Sequence, residues 1–384
     1  MGQTIKLAID VRDLRIAKTG ARTYLEEICR ELQQEHPGFS IHFIDTWLPV
    51  YTGKNKLLKI TEHIRFFCWK QILLPLICFV KGIDILYCTD YFVPCLKLNY
   101  QTAVLFHDAF FWEYPEQYNR LWLKLLNTIG LRAARRADVV VTVSEYSRQQ
   151  IIRYTGIRPE RIHAIHLAPK TTHSHPAPKQ QPEQQRPNPA KKYILHVGVL
   201  EKRKNLPNLI RAYSRLLQEG YTDYDLVLAG GRINKEKIDD SAQIQQLIKD
   251  HQLEGRVILP GFVADAALEA YYANATVYAF VSVNEGFGLP VLEAFQHHLP
   301  TLISDNSSLP EVGGDAVVTC NPFDVNDITE KLKMIICNPA LQQQLKEKGR
   351  QRLAQFSWQK STEALLQLFQ AIHGASNPPA EKLV

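Results

Sequence analysis

Two acidic side chains and two glycines stand close together in the segment Thr276–Gln296, a pattern that suits phosphate binding. The apolar run TVYAFVSV ends at Asn284, where the loop NEGFGLP begins, and Glu285 and Glu293 bracket this loop eight positions apart. Pro290 stands where a helix would start, because proline fits the first helical turn. The unpaired amides and the dipole of a helix start attract a diphosphate. The segment therefore predicts a strand, a ligand-binding loop and a helix.

Glycine makes this loop permissive. Gly286 and Gly288 lack a Cβ, so the backbone there can approach a bound group closely. We expect the whole turn to contribute to binding through Gly286, Phe287, Gly288 and Leu289. An ordinary strand–loop–helix turn, with Glu293 in the first helical turn where acids are favoured, explains the same residues. The residues that follow the other predicted strands are needed to distinguish these two interpretations.

Further candidates follow other apolar runs in the second half. Ligands of open α/β sheets bind beyond the carboxyl ends of the strands, so the loops after successive strands should converge. Arg203 and Lys204 follow YILHVGV, which contains Gly198, and paired cations there would neutralise a diphosphate leaving group. A solvated basic turn is the alternative. Two other loops, after DLVLAGG and RVILPGF, bring residues that would approach a ligand or border a nucleotide base, namely Gly230, Phe262 and Val263.

The first half offers three candidates. Gly20 stands just ahead of a helical pattern and gives a second helix start that could face a phosphate. His107 and Asp108 follow the apolar run TAVLF, so they should project from a strand end into a cleft. A lone histidine is more often structural, and that alternative stays open.

Several competing enzyme classes lack their motifs. The sequence has no G-x-G-x-x-G after its first strand and no G-K-[ST], which argues against a dinucleotide oxidoreductase and a P-loop enzyme. Asp223 and Asp225 form an Asp-x-Asp pair, but it lies at the amino end of the strand LVLAGG, so we expect no metal site there. Glu285 and Glu293, on one loop and helix, do not resemble the two carboxylates that flank a bond in a glycosidase.

The composition indicates a soluble protein of two domains. The chain has 384 residues, 45% hydrophobic and 22% charged, which is ordinary for globular domains but long for a single core. A net charge of +6 suits a phosphate-bearing ligand or an acidic membrane surface, and it is too small to indicate nucleic-acid binding. Seven widely spaced cysteines without a Cys-x-x-Cys pair, and an N-terminus without an apolar leader, favour a reduced, cytoplasmic protein.

Apolar runs of strand length alternate with helical patterns twice along the chain. Continuous apolar strands between helices are typical of a parallel sheet that is covered on both faces. The runs occupy residues 5–10, 41–47, 84–90, 102–109 and 138–145 in the first half, and 193–199, 225–231, 256–262, 276–282, 300–305 and 316–321 in the second. The predicted fold class is α/β, with two Rossmann-like domains whose parallel sheets face each other across a cleft.

Changes in composition predict the domain boundaries. Residues 1–169 form the first domain, and residues 170–192, rich in proline, glutamine and lysine, form a linker. Residues 193–355 form the second domain, which carries most of the candidates. Residues 356–373 are amphipathic and predict a helix that packs back on the first domain.

One segment, residues 64–80, is apolar enough to suggest a membrane span. Its sequence is IRFFCWKQILLPLICFV, in which basic residues and Pro75 interrupt the apolar run. It also falls short of the roughly 20 uninterrupted apolar residues that a span needs. We therefore predict a helix that packs on a sheet. Peripheral contact with the inner face of a membrane is the alternative.

Taken in order and at their spacing, eight pieces of the chain resemble glycosyltransferase family 4, whose members have the GT-B architecture. The pieces are TGARTYLEEI, HDAFFWEYPE, VSEYS, GVLEKRKNL, LVLAGG, GFV, EGFGLPVLEA and SDNSSLPEVGGDA. The resemblance covers most of the chain and implies a metal-independent, retaining enzyme that takes a hexose from a nucleotide-diphosphate sugar. It makes the first domain the acceptor side and the second the nucleotide-sugar side.

The resemblance also implies roles for single residues. Glu285 would contact the hydroxyl groups of the donor sugar, and Glu293 would hold the ribose. Arg203 and Lys204 would bind the diphosphate. His107 matches a histidine near the reacting centre. The resemblance implies these roles, in addition to the positions of these residues at strand ends.

One position departs from the family pattern. Val199 stands where many members have an arginine, and we expect Arg203 to take over its charge. The candidate catalytic residues are then Glu285, His107, Asp108, Arg203 and Lys204. Members with similar motifs often transfer mannose from GDP-mannose, so we expect mannosyl transfer to a glycan or lipid-linked acceptor of surface polysaccharide, without a cofactor. A GT-B-like nucleotide-sugar epimerase and a non-catalytic nucleotide- or glycan-binding module remain alternatives.

Overall fold

The computed structural model describes residues 4–17, 19–53, 55–171, 191–233 and 237–376. The chain divides into two compact units. Residues 1–168 and 357–384 belong to the first unit, and residues 169–356 belong to the second. Most of the predicted linker at 170–192 lies outside the described residues.

Each unit contains six strands among its described residues. Those of the first unit are β1 (Ile5–Asp10), β2 (Phe39–Ile44), β3 (Ile85–Cys88), β4 (Gln101–Leu105), β5 (Val139–Thr142) and β6 (Ile162–Ala164). Those of the second unit are β7 (Lys192–Val197), β8 (Tyr224–Ala229), β9 (Val257–Gly261), β10 (Val277–Phe280), β11 (Thr301–Ser304) and β12 (Val318–Cys320).

Helices connect these strands. The first unit has α1 (Thr19–Leu32), α2 (Lys56–Cys68), α3 (Leu74–Lys81), α4 (Phe110–Glu113), α5 (Arg120–Leu125), α6 (Leu131–Ala134) and α7 (Glu145–Thr155). The second unit has α8 (Leu206–Gln218), α9 (Ser241–Asp250), α10 (Asp265–Asn274), α11 (Leu289–Gln296), α12 (Leu309–Gly313), α13 (Val325–Ile336) and α14 (Pro339–Leu353). The last helix, α15 (Trp358–Ser376), belongs to the first unit.

Both sheets are parallel, and each has one switch point. The strand orders are β2-β1-β3-β4-β5-β6 and β12-β11-β10-β7-β8-β9. Successive strands are added to one side and then to the other, so the switch falls between β1 and β3 in the first sheet and between β7 and β10 in the second. In open α/β sheets, ligands bind beyond the carboxyl ends of the strands at such a point.

Burial explains why the strands could be predicted. β3, β5, β10 and β11 are buried along their whole length, as expected where helices cover both faces of a sheet. Such strands appear in the sequence as continuous apolar runs. The prediction of two α/β domains with parallel sheets is therefore confirmed.

The structure differs from the expected elements at a few places. β6 was not predicted, because three residues with only Ile162 fully buried leave no apolar run. β2 ends at Ile44, earlier than the predicted run 41–47. A 3-10 turn, Arg12–Arg15, separates β1 from α1.

The segment predicted as a packed helix is part of a longer one. α2, a π-helical turn (Trp69–Leu73) and α3 follow one another without a break. Residues Leu57–Lys81 form a helix long and apolar enough to cross a membrane, with 28% of the residues in its most apolar window buried in the protein. Trp69, Leu74 and Cys78 belong to the core of the first unit.

The C-terminal helix α15 packs within the first unit. The ring of Phe369 lies 5.3 Å from that of Tyr87 on β3, measured between ring centroids. Near its end, the carbonyl of Ile372 accepts a hydrogen bond from Gln101 Nε2 (2.8 Å) on β4. The helix therefore lies against the same sheet as the N-terminal strands.

Candidate active site

The loops after β7 and β10 lie side by side at the switch point of the second sheet. The amide of Val283 donates to the carbonyl of Arg203 (2.8 Å). Asn205, which has a φ of 58°, donates through Nδ2 to the carbonyl of Val281 (3.2 Å). Asparagine adopts this left-handed backbone more readily than most residues. The turn with the two predicted cations is thus held against the loop with the predicted carboxylate.

Both predicted cations bind one carboxylate. Glu285 Oε2 accepts from Arg203 Nη1 (2.5 Å), and Oε1 accepts from Lys204 Nζ (2.6 Å). Arg203 also donates through Nε to Glu201 (3.0 Å). Lys204 is 6% exposed and Glu285 is 7% exposed, and charges attract more strongly away from water. The structure therefore joins three of the candidate catalytic residues in one cluster.

Burial and charge act in opposite directions on this cluster. Burial alone would raise the pKa of Glu285, but Arg203 and Lys204 outweigh it and lower that pKa to about 2. Burial and the nearby Arg203 lower the pKa of Lys204, whereas Glu285 raises it again. The carboxylate is therefore ionised at neutral pH and favours the charged form of both neighbours.

The two glycines at the ends of β7 and β8 pack against each other. A Cβ on Gly230 would lie 1.7 Å from the carbonyl oxygen of Gly198, so no other residue fits there without movement. Gly198 has a φ of 157° and donates its amide to the carbonyl of Ala229 (2.9 Å). Close packing of the backbone explains Gly230 without any ligand.

Helix α11 begins close to the predicted position. Gly288 precedes it with a φ of 119°, and Pro290 lies in its first turn. A Cβ on Gly288 would lie 2.8 Å from the nearest side chain. Phe287 and Leu289 are buried, so only their backbone is available to a ligand, and Gly286 lies in the same loop.

Two residues that sequence reasoning missed support this loop. Ser308 Oγ lies within hydrogen-bonding distance of the carbonyls of Glu285 (2.9 Å) and Phe287 (2.6 Å). Asn306 Nδ2 donates to the carbonyl of Val283 (3.1 Å). Both belong to SDNSSLPEVGGDA, a piece of the family resemblance for which no role was predicted. The motif indicated that this segment matters, but it did not indicate which residues Asn306 and Ser308 contact.

Glu293 lies on the same helix, but in its second turn and not in its first as predicted. Since α11 starts at Leu289, Glu293 is in its second turn, where the helix dipole has little effect. The prediction of a first-turn acid was wrong, because it took Pro290 as the first helical residue. Glu293 Oε2 accepts a hydrogen bond from Tyr272 Oη (2.8 Å). Burial raises the pKa of Glu293, and this hydrogen bond opposes the rise.

Phe262 and Val263 follow β9, at the edge of the second sheet. Phe262 is 81% exposed, and its Cβ lies 3.5 Å from the position that a Cβ on Gly231 would occupy. Val263 is buried. Of this predicted pair, only the Phe262 ring is open to a flat ligand such as a nucleotide base.

The three candidates of the first unit lie at the carboxyl ends of its strands. Gly20 is the second residue of α1, and not ahead of it as predicted, because the helix already starts at Thr19. His107 follows β4, and burial lowers its pKa to about 4. Asp108 Oδ1 accepts hydrogen bonds from Tyr91 Oη (3.1 Å) and from the amide of Phe110 (3.0 Å), so this carboxylate supports its own turn.

A buried histidine near the cluster should make the protein sensitive to acid. His196 Nδ1 lies 3.0 Å from the carbonyl of Ala279, and burial lowers the pKa of His196 to about 3. Because the neutral form is favoured only in the folded state, its contribution to stability is lost as pH falls below about 6.5, the pKa in the unfolded chain. We expect a loss of about 2 kcal/mol between pH 7 and pH 5.

The measurement is the free energy of unfolding in urea at both pH values. His196→Gln should show a smaller loss than the wild type by this amount. Other titrating groups are common to both proteins and cancel in the comparison. Equal losses in the two proteins would contradict the buried, neutral histidine.

Two places in the described residues have carboxylates that could bind a metal ion. Asp225, of the Asp-x-Asp pair, lies near the amino end of β8 and forms ion pairs with Arg256 (3.4 Å) and Lys191 (3.5 Å). Within the described ranges, Asp10, Cys88 and Asp90 form a group whose potential ligand atoms lie within 4.8 Å of one another. Lys70 Nζ lies 2.5 Å from Asp10 and also pairs with Asp90. A lysine ammonium thus already balances these carboxylates.

Two family models match the chain, one for each half. Residues 18–168 match the family described as "Glycosyltransferase Family 4", and residues 178–352 match "Glycosyl transferases group 1". O-antigen chain mannosyltransferase B of Escherichia coli is 30% identical over 274 residues, which cover 71% of each chain. The chain belongs to glycosyltransferase family 4. The predicted family is therefore confirmed, and the protein is a glycosyltransferase.

Other relatives agree with this assignment. The serotype-specific mannosyltransferase WbdA of Escherichia coli is 32% identical over 238 residues, which cover 61% of this family 4 chain and 29% of WbdA. Among solved structures, sucrose-phosphate synthase from Thermosynechococcus elongatus superimposes with a TM-score of 0.69 at 18% identity, covering 97% of this chain and 100% of that one. This second likeness shows the fold alone.

Proposed function

We propose that this glycosyltransferase moves mannose from a nucleotide-diphosphate sugar, with GDP-mannose favoured over UDP-sugars, to a glycan or lipid-linked acceptor of a surface polysaccharide. Retention of the anomeric configuration and independence from metal ions are part of the proposal. The two Escherichia coli relatives are mannosyltransferases by name, and one is named for the O-antigen chain. Seven free thiols suit a reducing compartment, so we propose a cytoplasmic location.

The Arg203–Lys204–Glu285 cluster is the observation that carries the proposal. It lies at the carboxyl ends of β7 and β10, which is the switch point of the second sheet. Glu285 holds both cations, and Glu201 also binds Arg203, so the two cations are already in position when charge develops. Such preorganised charge is the most effective kind of transition-state stabilisation.

The proposed step is a front-face displacement at the anomeric carbon. The bond from C1 to the phosphate oxygen breaks, and the electron pair stays on that oxygen. The bond from C1 to the acceptor oxygen forms on the same face, and the acceptor's proton passes to the leaving phosphate. Arg203 and Lys204 stabilise the negative charge of the nucleoside diphosphate, while Glu285 keeps both cations in place and is proposed to meet the sugar hydroxyls.

The test is nucleotide release from purified protein with GDP- and UDP-sugars, with and without EDTA. An extract of lipid-linked oligosaccharides supplies acceptors, and NMR of the product gives its anomeric configuration. We expect GDP release only in the presence of acceptor, unchanged by EDTA, and an α-linked mannose. A strict metal requirement or an inverted product would contradict the mechanism.

Two alternatives give different results in the same assay. An epimerase would convert the donor alone into a new sugar nucleotide, without glycan. A non-catalytic module would bind GDP or UDP but release nothing from any mixture of donor and acceptor. Release of GDP that depends on the acceptor separates the proposed transferase from both alternatives.

Tyr272 should matter for donor binding, because its hydroxyl orients the carboxylate of Glu293, the proposed ribose ligand. A hydrogen bond to a charged group contributes about 1.5–3 kcal/mol. We expect Tyr272→Phe to raise the donor KM about tenfold and to leave kcat within about twofold, since the ribose is unchanged in the reaction.

Tyr213→Phe is the matched control for this prediction. Tyr213 is also buried in the second unit and donates its hydroxyl to the carbonyl of Tyr224 (2.8 Å), but it contacts none of the proposed donor ligands. Its KM should stay that of the wild type. Equal KM values in the two variants would remove Tyr272 from donor binding.

A further inference from the structure

The long helix of the first unit presents a row of exposed apolar side chains. Ile60, Ile64, Ile72, Leu76 and Val80 are between 49% and 82% exposed and are spaced by multiples of four residues. Positions four apart are neighbours on the surface of a helix, so these side chains form one continuous stripe along it. We call this row the apolar face. Single exposed apolar side chains are common on protein surfaces, but continuous rows of them are not, so this row indicates an interaction surface.

The opposite side of the same helix is fixed to the first sheet at its switch point. Trp69 Nε1 donates to Asp10 Oδ1 (3.2 Å), at the end of β1. Lys70 Nζ lies 2.5 Å from Asp10 Oδ2 and pairs with Asp90, just after β3. Burial alone would lower the pKa of Lys70, but Asp10 and Asp90 outweigh it and hold that pKa well above its usual value. The inner side of the helix therefore carries a charged lysine that is paired with two carboxylates of the sheet.

This attachment decides between spanning a bilayer and lying on one. A spanning helix would have to remove Lys70 from both carboxylates and Trp69, Leu74 and Cys78 from the core. Buried charges that lose their partners are strongly destabilising. A helix that lies in the plane of a membrane surface keeps its inner contacts and inserts only its outer row.

Charge favours an anionic surface over other occupants. The helix carries Lys56, Lys59, Arg65, Lys70 and Lys81 but only one acid, Glu62. Glu62 Oε2 accepts from the amide of Tyr51 (3.1 Å), and Oε1 accepts from Arg12. The exposed cations beside the apolar face are Lys59, Lys81 and Arg65, and Arg65 also lies 3.9 Å from Glu62. Basic residues next to apolar ones suit anionic lipid headgroups.

A second helix extends the basic surface. Phe92 lies between the two helices, 5.5 Å from the ring of Phe66 on α2 and 6.3 Å from that of Trp122 on α5, measured between centroids. Next to Trp122, Leu121 is 76% exposed. The cations of α5, Arg120 and Lys124, are exposed as well. Apolar and basic groups thus continue from one helix to the next.

We propose that the apolar face, with the cations beside it, binds the surface of an anionic lipid bilayer, so that the protein docks peripherally. The binding does not depend on turnover. If the function proposed above holds, docking also brings the carboxyl ends of β1 and β3 to the surface where a lipid-linked acceptor resides. Only this last consequence rests on the proposed function.

The test is co-sedimentation of the full-length protein with vesicles of phosphatidylcholine alone and of phosphatidylcholine mixed with phosphatidylglycerol. The variant is Ile64→Glu/Ile72→Glu, two exposed positions of the apolar face. The matched control is Phe323→Glu/Met334→Glu, two positions of the second unit that are 70% and 41% exposed. Melting curves show whether each variant is folded, and light scattering after gel filtration gives the oligomeric state.

We expect the wild type and the control to bind mixed vesicles at least about tenfold more strongly than phosphatidylcholine vesicles. Binding should weaken with salt, because the Debye length falls from about 10 Å at 0.1 M to about 3 Å at 1 M. The variant should bind at least about tenfold less than the wild type. Nucleotide release with a soluble acceptor should be the same in all three proteins.

Three results would overturn the proposal. The variant and the control bind vesicles equally, or the wild type binds neither kind of vesicle. A wild type that is dimeric, binds no vesicles and becomes monomeric in the variant would show that a second copy covers the face. Should the double variant fail to melt like the wild type, the single variant Ile64→Glu, with an expected reduction of about threefold, decides instead.

Discussion

The substitution Glu285→Gln is expected to lower kcat by at least about a hundredfold and to destabilise the second unit. Glu285 contacts both Arg203 and Lys204, so its loss leaves Lys204 without this carboxylate and leaves Arg203 with Glu201. Breaking a buried ion pair by removing one partner costs about 3–5 kcal/mol. A hundredfold loss in kcat corresponds to about 2.7 kcal/mol of transition-state stabilisation.

The measurements are steady-state kinetics and urea unfolding of the same preparations. Glu293→Gln is the companion variant, because Glu293 accepts one hydrogen bond from Tyr272 and contacts neither cation in the structure. It should mostly raise the donor KM, since the ribose it is proposed to hold is unchanged in the reaction. If Glu285→Gln raised KM and Glu293→Gln lowered kcat, the proposed placement of the donor would be reversed.

This expectation differs from what the sequence alone suggested for Glu285. The sequence predicted that Glu285 lies in a loop and binds the donor sugar. It did not predict that the carboxylate also stabilises the fold by pairing with two cations. The melting temperature of Glu285→Gln therefore matters as much as its kinetics. A variant with normal stability and low kcat would show that the cations find other partners.

The sequence predicted the sheets well because buried parallel strands are continuous apolar runs. β10 and β11, buried at every position, fell inside the predicted segments 276–282 and 300–305. β6 shows the limit of this signal, because it has one fully buried residue and its pairing with β5 comes from its position in the sheet. An edge strand of three residues has no periodicity to detect.

The sequence predicted where the site residues lie, but not which of them form ion pairs with one another. Strand ends converge in any open α/β sheet, so Arg203, Lys204 and Glu285 were expected near one another. The pairing itself depends on the strand order, which puts β7 beside β10 although β8 and β9 lie between them in sequence. The support from Ser308 was missed for the same reason, because its hydroxyl reaches carbonyls about 20 positions earlier.

The long helix of the first unit was predicted only in part. The segment 64–80 was expected to pack on the sheet, and Trp69, Leu74 and Cys78 do so. The inward side chain of Lys70 interrupted the apolar run in the sequence and was read as a reason against a membrane span. In the structure it has two buried carboxylate partners. Those partners come from the ends of β1 and β3, which no local pattern connects to the helix.

Lys204→Met is expected to reduce kcat by about ten- to a hundredfold, and so is Arg203→Ala. Each removes a charge-assisted contact to the leaving diphosphate, worth about 1.5–3 kcal/mol. The two variants should differ in stability. Lys204 is buried, whereas the side chain of Arg203 is 24% exposed. Water can therefore solvate the carboxylates that lose Arg203 better than the carboxylate that loses Lys204. Urea unfolding should show the larger loss for Lys204→Met.

A double-mutant cycle separates the structural share of Lys204 from its catalytic share. In Lys204→Met/Glu285→Gln, both members of the buried pair are neutral, so neither is left as a buried charge that has lost its partner, and Arg203 keeps Glu201. The double variant should be more stable than the sum of the single losses predicts, by about 0.5–3 kcal/mol. Its kcat should stay at least about a hundredfold below the wild type, because the cation that meets the diphosphate is still missing. Recovery of kcat together with stability would mean that Lys204 and Glu285 serve the fold, and that the leaving group is stabilised elsewhere.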